Sequence, residues 1–298
     1  MNIAITGATG FIGRYIVNRL TAKGHTCRCW FRPNSNQSGF DHPDKIKWVS
    51  GDLTERESMR ELVSGCRAII HAALWRPGAT FGVSEGDVTK FAEINIVGTL
   101  ALIEASRVEN LGRFVFISTC AVHEKILDDR PLDETHPLWS STHYGAHKAA
   151  IEKFVHSYGF GQSFPICALR PTGVYGQRLP VQSSKWYSLI ERIVHGKPVD
   201  CHSGGKEVHA ADVAKAAEIL LTANGINGQC FNCYDRYVSD WDVANIAKLI
   251  TGSSSQIAGG LIRPKHEIVT ERIRKLGMQF GGDELLKATI RDLVASVK

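Results

Sequence analysis

Short, mainly apolar runs alternate with segments of helical periodicity through the first 170 residues. The predicted strands are Asn2–Thr6, Thr26–Phe31, Ile46–Val49, Ala68–His71, Arg113–Ser118 and Pro165–Leu169. The predicted helices lie between them, near 11–23, 55–64, 87–109 and 144–158. Because a strand followed by a helix recurs, the pattern predicts an α/β fold with a doubly wound parallel sheet.

The pattern loosens after Arg170. The predicted elements there are a loop at Pro171–Pro180, a helix at 182–195, a short strand near 207–209, a helix at 212–223, a strand at 229–233, a helix at 240–251 and a final amphipathic helix near 284–297. We therefore expect a sheet domain over residues 1–170 and a mainly substrate-binding, smaller C-terminal lobe over 171–298, with interleaved boundaries.

Composition narrows the class of protein. The chain has 298 residues, of which 43% are hydrophobic and 22% charged, so one large α/β domain with an appended lobe is feasible. No apolar stretch approaches the roughly 20 residues of a bilayer span, and Met1–Thr6 runs into a strand without a signal-peptide pattern. We expect a cytoplasmic protein that does not associate with membranes. Its 35 basic and 30 acidic residues are interspersed, which argues against a nucleic-acid partner.

The cysteines and histidines do not form a recognisable metal site. Eight cysteines are expected to be free thiols in a reducing compartment. Cys230 and Cys233 have metal or redox spacing, but a structural zinc site needs about four ligands and no second pair is present. His143 and His147 lie four residues apart without an acidic partner pattern. Structural roles are favoured, and no metal is expected in catalysis.

A glycine-rich loop joins the first predicted strand to the first predicted helix. Its sequence is Thr6-Gly-Ala-Thr-Gly-Phe-Ile-Gly13. Glycines at these positions tighten the turn, let the backbone approach a pyrophosphate and allow the helix to pack on the strand, while the helix N-terminus receives the phosphate charge. The loop predicts a Rossmann dinucleotide site contacted by Gly7, Thr9, Gly10, Phe11, Ile12 and Gly13.

The end of the second strand bears on the choice between NAD and NADP. An acidic residue there binds the ribose hydroxyls of NAD, whereas an arginine accommodates a 2′-phosphate. This chain has Phe31-Arg32-Pro33 and no carboxylate at that position. Arg32 can pair bidentately with a phosphate, which favours NADP over NAD. A solvent-exposed arginine beside a turn proline is the alternative interpretation.

Further motifs follow in the order in which the sheet would present them. They are Gly51-Asp52-Leu53, His71-Ala72-Ala73, Asn95-Ile-Val-Gly-Thr99, Ser118-Thr119, Tyr144-Gly-Ala-His-Lys148 and Leu169-Arg-Pro-Thr-Gly-Val-Tyr-Gly176. Together with the glycine loop, this set resembles the extended short-chain dehydrogenase/reductase superfamily, in particular the NAD-dependent epimerase/dehydratase family. The resemblance is close over residues 1–176 and loose over 177–252.

The resemblance implies roles for individual residues of this chain. Asp52 and Leu53 would flank the adenine, Ala72 and Ala73 would line the cofactor, and Asn95 would brace the site from its helix. Further cofactor neighbours would be Ser118 at the end of the fifth strand, Tyr144, Lys148 on the nicotinamide ribose, and Pro171, Thr172 and Val174 beside the nicotinamide. These strand ends are where ligands bind in a doubly wound sheet.

The catalytic chemistry follows from three side chains. Tyr144 and Lys148 are four residues apart and share one helix face, where an ammonium would favour the phenolate of a tyrosine whose ordinary pKa is about 10. Tyr144 would then exchange a proton with the substrate oxygen during hydride transfer. Thr119 would hold that oxygen near Tyr144. A chance YxxxK pairing is the alternative, and the position of Thr119 argues against it.

Two departures from the family pattern restrict the substrate. Sugar-nucleotide dehydratases of the family carry Thr-Asp-Glu where this chain has Thr119-Cys120-Ala121, so dehydration is not expected. His123 and Glu124 replace the usual Tyr-Gly and are interpreted as surface residues, or else as titrating groups at the pocket rim. The arginine that clamps a nucleotide diphosphate is absent from 205–212, which favours a smaller hydroxyl or keto compound such as a free sugar, sugar acid or sugar phosphate.

Three functions remain open. The leading hypothesis is a dehydrogenase or reductase with net hydride transfer to or from free NAD(P), and the second is a redox-neutral sugar or nucleotide-sugar epimerase with bound NAD. The third is a cofactor-binding regulator without turnover. Substrate specificity is expected in segments 75–90, 123–142 and 177–210. The resemblance also implies a homodimer formed through helices 87–109 and 144–158.

Overall fold

The computed structural model describes residues 1–76 and 86–297, so the predicted specificity segment 75–90 lies partly outside the described residues. The strands are β1 (Asn2–Thr6), β2 (Thr26–Phe31), β3 (Ile46–Ser50), β4 (Ala68–His71), β5 (Phe114–Ile117), β6 (Ile166–Pro171), β7 (Gly173–Tyr175), β8 (Val199–Cys201), β9 (Gly204–His209), β10 (Cys230–Cys233), β11 (Arg236–Ser239) and β12 (Ile257–Gly259). The α-helices are α1 (Phe11–Ala22), α2 (Arg56–Val63), α3 (Val88–Ala92), α4 (Gly98–Val108), α5 (His143–His156), α6 (Tyr187–Val194), α7 (Ala210–Thr222), α8 (Asp240–Thr251), α9 (Glu271–Lys275) and α10 (Gly282–Ser296).

Seven parallel strands form the central sheet, in the order β10-β6-β5-β4-β1-β2-β3. The strand order reverses between β1 and β4, and the carboxyl ends of strands at such a switch point form the ligand crevice of a doubly wound fold. Ile3, Ala4 and Ile5 of β1 have no exposed surface, as expected for a strand covered on both faces. The predicted fold class is confirmed.

The chain divides into two compact units. The first contains Met1–Pro171, Val213–Cys233 and Val269–Met278, and the second contains Thr172–Asp212, Tyr234–Ile268 and Gln279–Lys298. The prediction that the strand at 229–233 belongs to the smaller lobe is wrong. β10 pairs in parallel with β6 and extends the large sheet, because its four residues are all buried and suit a covered position.

The second unit has its own small sheets and core. β7 pairs in parallel with β9, β9 pairs antiparallel with β11, and β8 pairs with β12. Tyr175, Ile190, Val243 and Leu293 are among the residues of its core. β7 lies within the segment predicted as a loop, and α6 begins at Tyr187 rather than at 182 because Trp186 has a left-handed φ of 67°.

The predicted helix at 87–109 is interrupted. Glu93–Val97 forms a π-helical segment between α3 and α4. Such segments insert one extra residue into a helical turn and recur at functional sites. The insertion carries Asn95, which is buried.

No helix in the described ranges is both long enough and apolar enough to span a membrane.

Candidate active site

The glycine loop has the geometry of a phosphate cradle. Gly7 has φ +70° and lies against Ala72 and Ala73, where a Cβ would stand 2.7–2.8 Å from their backbone atoms. A Cβ on Gly13 would meet the Gly7 carbonyl oxygen at 2.0 Å. Helix α1 starts after Gly10 with no side-chain cap and no acidic residue in its first turn. Thr9 lies in this loop and α1 begins with Phe11 and Ile12, so the loop residues fit a pyrophosphate at a positive helix end.

A buried chain of hydrogen bonds joins this loop to the helix containing Asn95. Thr6 Oγ1 accepts from the backbone N–H groups of Ala72 and Ala73, both at 3.1 Å, and lies 2.6 Å from His71 Nδ1. His71 Nε2 lies 2.9 Å from Thr99 Oγ1, which donates to the Asn95 carbonyl at 2.6 Å. Burial and the charge of Lys148 lower the pKa of His71 to about 3, so the ring is neutral. No side-chain role for His71 was predicted from the sequence.

Asn95 fixes the segment after β4. Its side chain accepts from the Trp75 N–H at 2.8 Å and donates to the Trp75 carbonyl at 2.9 Å and the Phe91 carbonyl at 3.0 Å. The π-helical insertion thus places an amide on the loop that follows Ala72 and Ala73. Bracing by Asn95 is the role that the resemblance implied.

Residues expected around the adenosine lie at the ends of β2 and β3. Arg32 is exposed directly after β2, and its backbone N–H donates to Ser35 Oγ at 3.0 Å. Asp52 accepts from the Thr54 N–H and hydroxyl at 2.8 and 2.6 Å, which orders the turn before α2. Leu53 is buried in the core of the first unit.

Thr119 and Tyr144 are brought together. Thr119 follows β5 and accepts from the Ala121 N–H at 3.1 Å, and its hydroxyl also hydrogen-bonds Tyr144 at the start of α5. Burial raises the pKa of Tyr144, while that hydrogen bond and the positive charge of Arg76 oppose the rise. The prediction that the Lys148 ammonium sets a low pKa for Tyr144 is wrong, because burial raises that pKa and the cation that opposes the rise is Arg76.

Lys148 is buried one helical turn after Tyr144. Its Nζ donates to the Ile117 carbonyl at 2.8 Å and lies 4.5 Å from the centre of the Phe116 ring. Burial lowers the pKa of Lys148 to about 7, and the charge of Glu152 opposes that shift. The carboxyl end of β5 therefore holds the Lys148 amine, as well as Ser118 and Thr119.

A buried ion pair lies beneath these catalytic candidates. Arg170 at the end of β6 donates to both Glu152 oxygens, with Nη2–Oε2 at 2.6 Å and Nε–Oε1 at 2.9 Å, and Ser118 donates to Glu152 Oε1 at 2.5 Å. Arg170 Nη1 also lies 3.1 Å from His123 Nε2. Both charged side chains have at most 1% exposure. The network connects β5, α5 and β6.

His123 is not a surface residue, contrary to the first interpretation. It is 4% exposed, and its Nδ1 lies 3.2 Å from the Pro137 carbonyl while Nε2 accepts from Arg170. Burial and the Arg170 charge lower the pKa of His123 to about 4, so it stays neutral. Glu124 accepts from Ser141 and from the Thr142 N–H at 3.1 Å, which anchors the entry to α5.

The residues expected beside the nicotinamide fall in both units. Pro171 ends β6 in the first unit. Thr172 is the first residue of the second unit and lies just before β7, and Val174 lies on β7. Cys120 replaces the acid of dehydratases, and its thiol donates to the Arg170 carbonyl at 3.0 Å. Burial raises the pKa of the Cys120 thiol to about 12, so it does not supply an acid–base group near neutrality.

Other cysteine and histidine positions carry no ligand set. Cys230 and Cys233 are buried on β10 and form no disulfide bond with the cysteines that the structure describes. His147 is buried and packs edge-on against Phe91, with ring centres 5.1 Å apart. Over residues 1–76 and 86–297, no group of three or more His, Cys, Asp or Glu side chains is placed to hold a metal ion.

The pKa of Lys148 predicts how stability depends on pH. In the folded chain its pKa is about 7, against 10.5 ordinarily, so between these values the unfolded chain binds more protons and stability rises with pH. Lys148→Met removes the free-energy cost of burying a lysine that is charged below its folded pKa. It is expected to stabilise the cofactor-free protein by about 2 kcal/mol or more at pH 6, since each pKa unit corresponds to about 1.4 kcal/mol, and by progressively less towards pH 10.

Urea unfolding at pH 6, 8 and 9.5 measures the difference in unfolding free energy between Lys148→Met and the unsubstituted protein. The charged or titrating neighbours of Lys148 are Glu152, His71 and His147. Both histidines stay neutral over this range because their pKa values are lowered to about 3 and about 2. A stability difference that does not change between pH 6 and 9.5 would contradict the assignment to Lys148.

Comparison with known proteins agrees with this geometry. Residues 3–233 match the model of the NAD-dependent epimerase/dehydratase family. The chain belongs to that family. It is 30% identical over 246 residues to a trifunctional UDP-glucose 4,6-dehydratase/UDP-4-keto-6-deoxy-D-glucose 3,5-epimerase/UDP-4-keto-L-rhamnose-reductase of Arabidopsis thaliana. That match covers 76% of this chain and 36% of the relative, so the chain spans about a third of the relative's length.

Two further family members illustrate the likeness. A UDP-glucose 4-epimerase of Rhizobium meliloti is 28% identical over 213 residues, covering 69% of this chain and 61% of the relative. Among solved structures, a UDP-glucose 4-epimerase of Thermotoga maritima has a TM-score of 0.81 at 21% identity, with both chains fully covered. One from Thermus thermophilus, in complex with NAD, has a TM-score of 0.78 at 22% identity over 98% of this chain and 99% of that one. These structures support the Rossmann fold.

Proposed function

We propose that this family member is an NAD(P)-dependent oxidoreductase that transfers a hydride between the nicotinamide and a hydroxyl or keto carbon of a small or sugar-like substrate. The observation that carries the proposal is the Thr119–Tyr144 hydrogen bond at the carboxyl end of β5, with Lys148 one turn further along the helix. Cys120 and Ala121 offer no acid pair for dehydration, so hydride transfer is the chemistry that these residues support.

Each residue has a defined task. The bound nicotinamide supplies or accepts the hydride. In reduction Tyr144 donates its phenolic proton to the carbonyl oxygen, and in oxidation it accepts the hydroxyl proton. Thr119 holds the same oxygen within reach of the phenol. Because burial raises the pKa of Tyr144, the phenol holds at neutral pH the proton that reduction of a carbonyl requires.

Redox-neutral epimerisation is the second candidate. The relatives from Rhizobium meliloti and Thermotoga maritima are UDP-glucose 4-epimerases. An epimerase must keep the reduced cofactor bound between two hydride transfers, whereas a reductase exchanges it with solution. Cofactor analysis of the purified, heat-denatured protein separates them: a molar equivalent of retained NAD supports epimerisation, and exchangeable cofactor supports net oxidation or reduction.

Arg32 leads us to propose NADP as the cofactor. Its guanidinium is exposed at the end of β2, where a 2′-phosphate would lie in this fold. Calorimetric titration is expected to show tighter binding of NADPH than NADH. Arg32→Glu should reduce or reverse that preference by about tenfold or more, since a charged hydrogen bond contributes about 1.5–3 kcal/mol. An unchanged NADPH/NADH ratio in the variant would refute the role of Arg32, and no binding of either would refute the enzyme hypothesis.

We also propose that the protein is a homodimer formed through the helical segments 88–108 and 143–156. Val97, Val108 and Phe154 expose apolar surface on these segments, at 50%, 81% and 39%. Sedimentation at micromolar concentration should give twice the chain mass of 32.8 kDa. Val97→Glu with Phe154→Glu should shift the mass to one chain, because charges at a packed seam are unpaired. A wild-type protein of single-chain mass would exclude the dimer.

A further inference from the structure

Glu207 is a buried carboxylate that is only half satisfied. It lies on β9 with 1% of its surface exposed. One oxygen pairs with the Lys185 ammonium, while Oε2 has no hydrogen-bond partner among the residues described. Leaving a charged acceptor buried without a donor is costly. A hydroxyl or amine supplied from outside the chain would complete the coordination of this oxygen.

Two glycines make room for the carboxylate. A Cβ on Gly173 would stand 2.8 Å from both Glu207 oxygens, and a Cβ on Gly205 would stand 2.5 Å from Oε1. Neither glycine has a positive φ, so backbone conformation does not require glycine at these positions. Gly173 is exposed, which places the carboxylate directly beneath an accessible stretch of backbone. The two glycines therefore leave the space that the Glu207 carboxylate occupies.

This position adjoins the ligand-binding edge along the chain. Gly173 comes two residues after Pro171, the last residue of β6, and the carboxyl ends of parallel strands carry the ligands of this fold. The hydroxyls of Thr172 and Tyr175, on either side of Gly173, are also buried without partners in the described part of the chain. Buried polar atoms without partners thus occur just before β7, at its last residue and on β9.

Lys185 supplies the donor of the pair. Its side chain is 37% exposed, and its Nζ lies 5.4 Å from the centre of the Trp186 indole ring. Burial raises the pKa of Glu207 and the Lys185 ammonium opposes that rise. An ammonium beside a carboxylate has little net charge, so the pair does not select an anion. It presents a donor and an acceptor side by side, which matches two adjacent hydroxyl groups.

We propose that Glu207 and Lys185 form a substrate subsite that binds a vicinal diol, with Glu207 Oε2 accepting from one hydroxyl and Lys185 Nζ donating to the neighbouring oxygen. The inference rests on the proposed function and narrows its substrate to compounds with adjacent hydroxyl groups. A site built to hydrogen-bond a hydroxyl rejects the analogue that lacks it, because its own polar groups are then left unpaired.

Matched probes test the subsite by binding rather than turnover. The pairs are D-glucose with 2-deoxy-D-glucose, D-galactose with 2-deoxy-D-galactose, and cis-1,2-cyclohexanediol with cyclohexanol. Dissociation constants come from saturation-transfer NMR on the protein with and without NADP(H). At least one diol should bind about 10- to 100-fold more tightly than its partner. If no diol is preferred, the inference is wrong.

Three variants test whether Glu207 and Lys185 cause the preference for diols. Glu207→Gln and Lys185→Met should each reduce it to a few-fold, whereas Lys206→Met should leave it unchanged because residue 206 faces the other side of β9. A preference that survives the first two variants overturns the inference. Thermal unfolding checks that Glu207→Gln folds. If it does not, Lys185→Met decides, since that side chain is partly exposed.

Failure of the subsite and failure of the proposed function give different results. Tyr144→Phe should keep the diol preference and lose turnover. If this variant retains full turnover while Glu207→Gln loses the preference, the catalytic proposal is wrong and the subsite stands. If Tyr144→Phe is inactive but the diols bind no better than their partners, the subsite alone is wrong.

Discussion

Tyr144→Phe is expected to reduce turnover by about 10²- to 10⁴-fold, the usual contribution of a positioned acid–base group. The phenylalanine ring keeps the packing of Tyr144 but cannot exchange a proton with the substrate oxygen. Calorimetry should show cofactor binding retained, so the loss appears in kcat as well as in kcat/KM. The assay follows nicotinamide absorbance with the best carbonyl compound from a substrate screen.

Tyr158→Phe provides the matched control. Tyr158 follows α5, and its hydroxyl donates to Glu104 at the surface, so the same change in chemistry should leave turnover unaltered. Full activity in Tyr144→Phe would eliminate the acid–base mechanism. Equal losses in both variants would point to damaged folding instead.

Breaking the ion pair between Glu152 and Arg170 is expected to destabilise the protein by about 3–5 kcal/mol, because the remaining charge is buried without its partner. Glu152→Gln and Arg170→Met are the single changes, and chemical unfolding at pH 7 measures the free energy of unfolding. The double variant Glu152→Gln with Arg170→Met should be no less stable than either single variant, because it leaves no unpaired buried charge. If the stability loss of the double variant equals the sum of the two single losses, Glu152 and Arg170 are not energetically coupled.

Glu57→Gln serves as the surface control for this series. Glu57 pairs with Arg60 at 3.0 Å, but both side chains are largely exposed. Exposed pairs contribute little to stability, so the unfolding free energy should hardly change. The contrast isolates burial as the source of the effect.

Much of the first unit could be predicted from sequence because its signals are local. β1, β2 and β4 have the predicted bounds, since their runs of buried residues and the turns that follow are contiguous in the chain. The glycine loop and the Tyr144–Lys148 spacing are equally short-range. The position of Thr119 beside Tyr144 was expected from the resemblance, and the hydrogen bond between them agrees with it.

The features that sequence reasoning missed depend on distant partners. The position of His123 is set by Arg170, 47 residues away, and no local pattern distinguishes a buried histidine from an exposed one. β7 has three residues, begins with glycine and pairs with β9, whose own glycines weaken the strand signal. The raised pKa of Tyr144 depends on burial, which a YxxxK motif does not specify.

The discontinuity of the first unit has a consequence for biosynthesis. The edge of β6 that pairs with β10 keeps unpaired backbone groups until β10 is synthesised, about sixty residues later in the chain. Such edges can pair with strands of other chains. Pairing two strands that are far apart in the sequence also slows folding. Because the last segment of this unit is Val269–Met278, the packing of the unit can be completed only after most of the chain has been made.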